Sequence, residues 1–147
     1  CIKDDKHREI RREIFQEHKR SLHQKRKQVK KINKRRVGGR YEDRAAAFLE
    51  QKGLQVVERN FRSRTGEIDL IAKDGTYLVF VEVKYRHTSE SGRAASAVNR
   101  RKQSVISRTA KVYLLSRGYG EDTDCRFDVV AFDGENLHWI KNAFDCF

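Results

Sequence analysis

Two stretches that otherwise read as buried β-strands carry acidic residues: Gly66-Glu67-Ile68-Asp69-Leu70-Ile71 and, after an Asp74-Gly75 turn signal, Phe80-Val81-Glu82-Val83-Lys84. Taking a charge out of water is costly unless it is paired or bound to a cation. Carboxylates and a lysine set among Ile, Leu, Val and Phe therefore point to chemistry rather than to packing.

Asp-Gly between β-rich runs signals a two-residue hairpin turn. With Asp74 and Gly75 as the turn, Lys73 pairs with Thr76, Phe80 lies opposite Asp69, and Glu82 lies opposite Glu67. Opposed residues share a face and side chains alternate along a strand. Glu67, Asp69, Glu82 and Lys84 then share one face with Ile71, Leu78 and Phe80, and the other face (Ile68, Leu70, Ala72, Val79, Val81, Val83) is apolar throughout. In this register Asp69 and Glu82 are diagonal neighbours, roughly 7 Å apart at the backbone, close enough to hold one hard cation. Glu67 opposite Glu82 would be repulsive without one. Asp followed by Glu-x-Lys on the next strand is the spacing of metal-dependent nucleases.

The 147 residues suffice for one compact domain. No run approaches transmembrane length, and the start lacks an apolar signal-peptide core. Cys1, Cys125 and Cys146 match neither a disulfide framework nor a zinc pattern, which suits a reduced, cytoplasmic setting, with Cys125 a small strand hydrophobe. The absence of any Met implies either a removed initiator or a chain cut from a longer one. The formal charge of +12 is uneven: residues 1–36 hold fifteen Lys/Arg and five Asp/Glu, a net of +10, and residues 37–147 a net of +2. Such a block favours polyanions, nucleic acid above all; the alternative is a solvated arm with no partner.

The chain thus divides into a basic helical extension or linker (1–36) and a nuclease-like domain (37–147). In the extension, Phe15, Leu22 and Val29 recur every seven residues, a stripe too thin to bury much, and Gly38-Gly39 is expected to break the helix. A helix is expected over 40–52, with Ala45, Ala46, Phe48 and Leu49 on its apolar side and Gly53 as its stop. A strand at 54–60, an Arg-rich link to Arg64, and the hairpin at 67–85 follow. Then come a polar loop at 86–93, a helix at 97–117, a strand at 125–132, an Asp133-Gly134 turn and a strand at 136–140. Helix, three strands, helix, two strands predicts an α/β fold with a mixed sheet, since the second helix permits a parallel crossover.

Specific segments strengthen this reading. Gly38 through Glu42 with Ala45, Arg59-Asn60-Phe61-Arg62, the two acid-bearing strands, Lys102, Arg126-Phe127-Asp128-Val129-Val130 and Asn142-Ala143-Phe144 resemble the bacterial YraN family. That group belongs to the restriction-endonuclease-like superfamily and is similar to archaeal Holliday-junction resolvases. The resemblance spans residues 33–144 and leaves 1–31 outside. It implies a restriction-endonuclease-like core, a structure-selective endonuclease activity, Glu42 as an additional site acid and the Val83 carbonyl as a further metal ligand.

Asp69 and Glu82 are the candidate ligands for Mg²⁺ or Mn²⁺, cations that take oxygen donors and keep several waters. Lys84 is placed to orient a water or neutralise charge on a phosphorane, the alternative being a plain ion pair to Glu67 or Asp69. Glu42 is otherwise a favourable helix-start charge, and Glu67 a supporting or alternative ligand. Arg62, Arg64 and Arg86 flank the hairpin as candidate phosphate contacts. Arg100, Arg101 and Lys102 open the second helix against its dipole, which hints at a negatively charged partner; Lys102 is the one that matches the family pattern. His87 and His138 make no zinc pattern, and Trp139 and Phe132 read as core.

The reading that follows is a Mg²⁺- or Mn²⁺-dependent nuclease hydrolysing DNA phosphodiester bonds, with Glu42, Asp69, Glu82 and Lys84 catalytic. The expected partner is nucleic acid, DNA first, with no membrane and with a homodimer among the candidate assemblies. Competing classes are a catalytically silent nucleic-acid-binding module, an RNA-directed nuclease, and a C-terminal toxin nuclease with an immunity protein.

Overall fold

A computed structural model of the chain describes the backbone of residues 2–86 and 98–145, and the side chains of 6–85 and 98–145. The expected polar loop, with His87, lies outside the described residues. So does the side chain of Arg86, whose backbone ends the third strand. The elements are α1 (Ile2–Gln51), β1 (Gln55–Ser63), β2 (Gly66–Asp74), β3 (Tyr77–Arg86), α2 (Arg100–Ser116), β4 (Cys125–Asp133) and β5 (Asn136–Phe144). They form one mixed sheet in the order β1-β2-β3-β4-β5, with β3 and β4 parallel and every other neighbour antiparallel. The α/β class and the order of elements are as expected.

By its contacts the chain divides into two units, Cys1–Gly39 and Arg40–Phe147. The first is helical through its described residues. Its apolar side chains Ile10, Ile14, Phe15, Leu22, Val29 and Ile32 are all exposed, as so thin a stripe requires. The expected break at Gly38-Gly39 does not occur, because α1 continues through both glycines. Glycine weakens a helix by about 1 kcal/mol relative to alanine but does not forbid it, unlike proline.

The second unit buries both faces of its sheet. On one face, Ala45, Ala46 and Leu49 of α1 pack on Leu70, Ala72, Val79, Val81, Val130 and Phe132. On the other, Ile106, Ala110 and Tyr113 of α2 pack on Ile71, Leu78, Phe80, Phe127, Val129 and Ala131. Phe132 is fully buried, and half-buried Trp139 packs edge-on against Phe48 at 5.9 Å, both in the core role expected. Asn99 caps α2 by accepting from the Lys102 amide at 2.9 Å, so this helix begins at Arg100. Among the described residues, no helix is long and apolar enough to cross a membrane.

Three details of the β1–β3 part of the sheet differ from expectation, and elsewhere the β4–β5 turn is Gly134-Glu135, with Asp133 paired to Asn136, and β5 runs on to Phe144. The β2–β3 turn is Gly75-Thr76, with Asp74 paired to Tyr77, two residues away from the expected register. Gly75 adopts φ +59, and a turn with glycine first leaves the preceding Asp in the strand. A shift of two preserves which face each side chain takes but changes every cross-strand partner. Second, β1 continues through the Arg-rich link to Ser63 and turns back at Arg64-Thr65. Third, Ile68 leaves the face of Leu70 and joins Ile71 and Phe80. The cause lies across the β1–β2 ladder. Asn60 takes a left-handed conformation (φ +51) between the pairs Arg59–Leu70 and Phe61–Ile68. The kink reverses alternation there.

Candidate active site

The kink and the register shift together build the site. The regular β2–β3 pairing ends at Leu70–Val81, and just beyond it Asp69 lies against the Glu82 side chain. Asp69, not Glu67, is therefore the acid facing Glu82. The Asp69 Oδ2 accepts the Val83 N–H at 2.8 Å, a carboxylate standing where a sheet would offer a main-chain carbonyl. Burial pushes the Asp69 carboxyl up to about 7, and the neighbouring Glu82 charge pushes the same way; the Val83 N–H opposes both. Glu82 is itself buried, at 8 % exposure. Two carboxyls in contact in a mostly buried cleft favour keeping a proton on Asp69 or recruiting a cation.

Glu42 reaches the same acids from α1. Burial raises its carboxyl above the ordinary range, the Asp69 charge adds to that, and a hydrogen bond from the Asn60 side chain works against it. The left-handed backbone of Asn60 thus does two things: it flips the strand face and supplies a donor to Glu42. Asparagine tolerates that conformation better than most residues. Its presence in Arg59-Asn60-Phe61-Arg62 was a usable signal, but that segment was read for its arginines.

The remaining candidates separate. Lys84 follows Glu82 on the same face of β3, where the register pairs it with Ala131 of the α2-side core. Glu67 is exposed and ion-paired to Arg62, Nε to Oε2 at 3.3 Å, so it borders the acid pair rather than completing it. Its charge still raises both Asp69 and Glu42. Arg64 sits exposed in the β1–β2 turn. Lys102 of α2 places Nζ 3.4 Å from Glu82 Oε1, a partnership that sequence reasoning did not foresee. His138 lies exposed, 3.9 Å from Asp133 and apart from the acids named here.

The donor set decides what the cleft suits. Among the described residues it offers carboxylate oxygens and no Cys or His. Among the described residues no group of three or more His, Cys, Asp and Glu side chains is arranged around a common point. A cation here would draw on Asp69, Glu82 and the Val83 carbonyl, and complete its shell with water and phosphate. That is the habit of Mg²⁺, which is held by one or two carboxylates plus substrate. The donors present fit such an ion.

One buried acid away from this cleft is structural. Asp128 is fully buried and accepts four hydrogen bonds: Arg126 Nε (2.9 Å) and Nη2 (3.0 Å), Trp139 Nε1 (3.0 Å) and the Asn142 amide (3.0 Å). Arg126 also bridges to Asp74 at 3.0 Å. This cluster pins the irregularity in the β4–β5 pairing, where Asn142 turns left-handed at φ +51. It has no oxygen to spare for a ligand.

Comparison with known proteins gives the lineage. The model of the uncharacterised protein family UPF0102 matches residues 41–132. A UPF0102 protein of Dechloromonas aromatica is 54% identical over 107 residues, covering 73% of this chain and 87% of that one. One from Lachnoclostridium phytofermentans is 47% identical over 116 residues, covering 79% of this chain and 98% of its own length. The UPF0102 protein YraN of Salmonella newport is 43% identical over 117 residues, covering 79% and 89%. The chain belongs to the UPF0102 family, which includes YraN.

Proposed function

We propose that this protein is a divalent-metal-dependent nuclease that hydrolyses phosphodiester bonds in DNA, with a preference for branched or otherwise non-duplex structure. The observation that carries the reading is the contact of Asp69 with Glu82 in a mostly buried cleft, with Asp69 held by the Val83 amide. A binding module without chemistry gains nothing from two acids that repel phosphate. With a cation between them, the same acids become a seat for it.

Asp69, Glu82 and the Val83 carbonyl would hold Mg²⁺ or Mn²⁺. When bound, such an ion supplies a water acidified toward neutral pH and positive charge for the phosphoryl oxygens. The protein's own groups do the rest. The Val83 N–H fixes the orientation of the Asp69 carboxyl. Lys84 presents an ammonium on the Glu82 face, where it orients the attacking water or meets charge developing on phosphorus. Glu42, with its affinity for a proton raised by burial, takes a proton from that water or returns one to the leaving oxygen. Arg62, Arg64 and Arg86 hold flanking phosphates, and the basic residues of 1–36 add affinity independent of base sequence.

The test is a cleavage assay with Mg²⁺ or Mn²⁺ on single-stranded, duplex, flap and four-way-junction DNA, with matched RNA alongside. Cleavage of junction or flap DNA that disappears in EDTA and in Asp69→Ala is expected. Preferential cleavage of RNA would move the proposal to an RNA-directed nuclease. Binding without cleavage of any substrate would refute the chemistry.

A further inference from the structure

Lys102 approaches the acid pair from α2. Its backbone is fixed by the Asn99 cap, which accepts from the Lys102 amide itself. Its ammonium lies 3.4 Å from Glu82 Oε1, and the two side chains differ sharply in exposure, 43% for Lys102 and 9% for Glu82. The first turn of α2 carries Arg100, Arg101 and Lys102 and no acid, the unfavourable sign for a helix start. The position therefore favours an ammonium only while negative charge is beside it.

We propose that Lys102 is an exchangeable counter-ion: it neutralises Glu82 while the acid pair lacks a divalent cation, and passes to a substrate phosphate when a cation takes its place. The inference rests on the metal-site reading above. An ammonium donates hydrogen bonds and accepts none, so it can pair with Glu82 but cannot share a cation's shell. A divalent ion on Glu82 and an ammonium at 3.4 Å from the same oxygen repel each other. Glu82 is buried, whereas Lys102 is nearly half exposed on a flexible four-carbon stem, so Lys102 is the one that yields. The nearest new negative charge is the phosphate that the cation also attracts.

The exchange has a thermodynamic signature. Lys102 competes with the cation and weakens its binding in the absence of nucleic acid. A phosphate that draws Lys102 away removes the competitor, so cation and nucleic acid strengthen each other's binding, and the coupling is reciprocal. Lys102 is thereby a positioning residue that ties loading of the site to the presence of substrate.

Mn²⁺ calorimetry on the full chain without DNA tests the first half. Lys102→Gln is expected to bind Mn²⁺ about tenfold more tightly than wild type, because a like charge has been removed from the cation's surroundings. Lys102→Arg, which keeps the charge, should bind as wild type does. Duplex-DNA affinity against salt tests the second half, with Ca²⁺ as a cation that supports binding. With Ca²⁺ the slope of log K against log salt should be shallower in Lys102→Gln by about 0.9, one phosphate contact, and in EDTA the wild-type and variant slopes should coincide. Unchanged or weaker Mn²⁺ binding by Lys102→Gln, with wild type binding normally, overturns the exchange. An equal slope change with and without Ca²⁺ also overturns it, by making Lys102 a fixed phosphate contact. If wild type binds no more Mn²⁺ than the Asp69→Asn, Glu82→Gln double variant, the metal site itself is refuted and the exchange falls with it.

Discussion

Replacing Asp69 by asparagine should make the metal-free protein more stable at neutral pH, and the gain should vanish in acid. Asp69 has its carboxyl raised from 3.8 to about 7, a difference worth at most about 4 kcal/mol. The folded state therefore holds a proton that the unfolded state has released between those two values. Stability falls as pH rises through that window, and the full penalty applies above pH 7. Asparagine carries no charge and still offers Oδ1 to the Val83 amide, so Asp69→Asn removes the penalty and keeps the hydrogen bond that now measures 2.8 Å. Relaxation around the site will absorb part of the difference, leaving about 2–3 kcal/mol, or roughly 10 °C in Tm for a domain of this size. The assay is urea or thermal unfolding in EDTA from pH 4 to pH 8.5. Wild type and variant should agree near pH 4 and diverge steadily to pH 7. Saturating Mn²⁺ should then stabilise wild type, by about 2.7 kcal/mol at a hundredfold excess over Kd, and leave the variant unmoved. Parallel pH profiles, or a variant less stable at pH 8, would refute the idea that the acids are held together against their mutual repulsion.

Other consequences are checked separately. Divalent binding should require Asp69 and Glu82 together, so wild-type Mn²⁺ affinity in the Asp69→Asn, Glu82→Gln variant would refute the seat. Lys84→Ala should slow DNA cleavage by about 100-fold or more while changing Mn²⁺ affinity little, since an ammonium cannot be a metal ligand; a wild-type rate would make Lys84 an ion-pair partner only. Asp128→Ala should lower unfolding free energy in urea by about 3–5 kcal/mol, because it deprives the Trp139 Nε1 and the Asn142 amide of their acceptor and leaves Arg126 to its bridge with Asp74, and Asp128→Asn should cost less. Deleting residues 1–36 should flatten the salt dependence of DNA affinity, at about 0.9 per lost phosphate contact, without affecting Mn²⁺ binding; an unchanged slope with a large fall in Tm would make that segment structural.

Much of the fold was legible because its periods are strong. The strongly apolar strand faces, the Val- and Ile-bearing second helix and two Asp-Gly signals set the order of elements, and burial on both sheet faces follows from them. Turn chemistry was harder to read. Asp-Gly permits two registers, one with both residues in the loop and one with glycine first, and the loop residues alone do not choose between them. The choice made at Gly75 still left the faces right except at Ile68, because the two registers differ by an even step. The continuous α1 was missed for a related reason: glycine lowers helix stability by an amount that neighbouring turns can absorb.

The acid pair shows where strand periodicity stops being a guide. Alternation assigns Ile68 to the face of Leu70, and it would be so if β1 were a regular strand. A single left-handed residue, Asn60, reverses both strands of that hairpin and turns its side chain toward Glu42. The same step, where β2 leaves its regular pairing with β3, frees the Val83 amide for the Asp69 carboxylate. The raised ionisation of Asp69 comes from its burial and from Glu82, and the freed Val83 amide works against it. Sequence reasoning identified the acids from their incongruous setting but paired Glu82 with Glu67, because the local turn permits two registers. It gave Lys102 a nucleic-acid role without its contact to Glu82, which depends on how elements distant in the chain are brought together. A lysine three residues into a helix carries no mark of a carboxylate twenty residues earlier. Only the parallel placement of β3 beside β4, with α2 crossing over that face, brings Lys102 to Glu82.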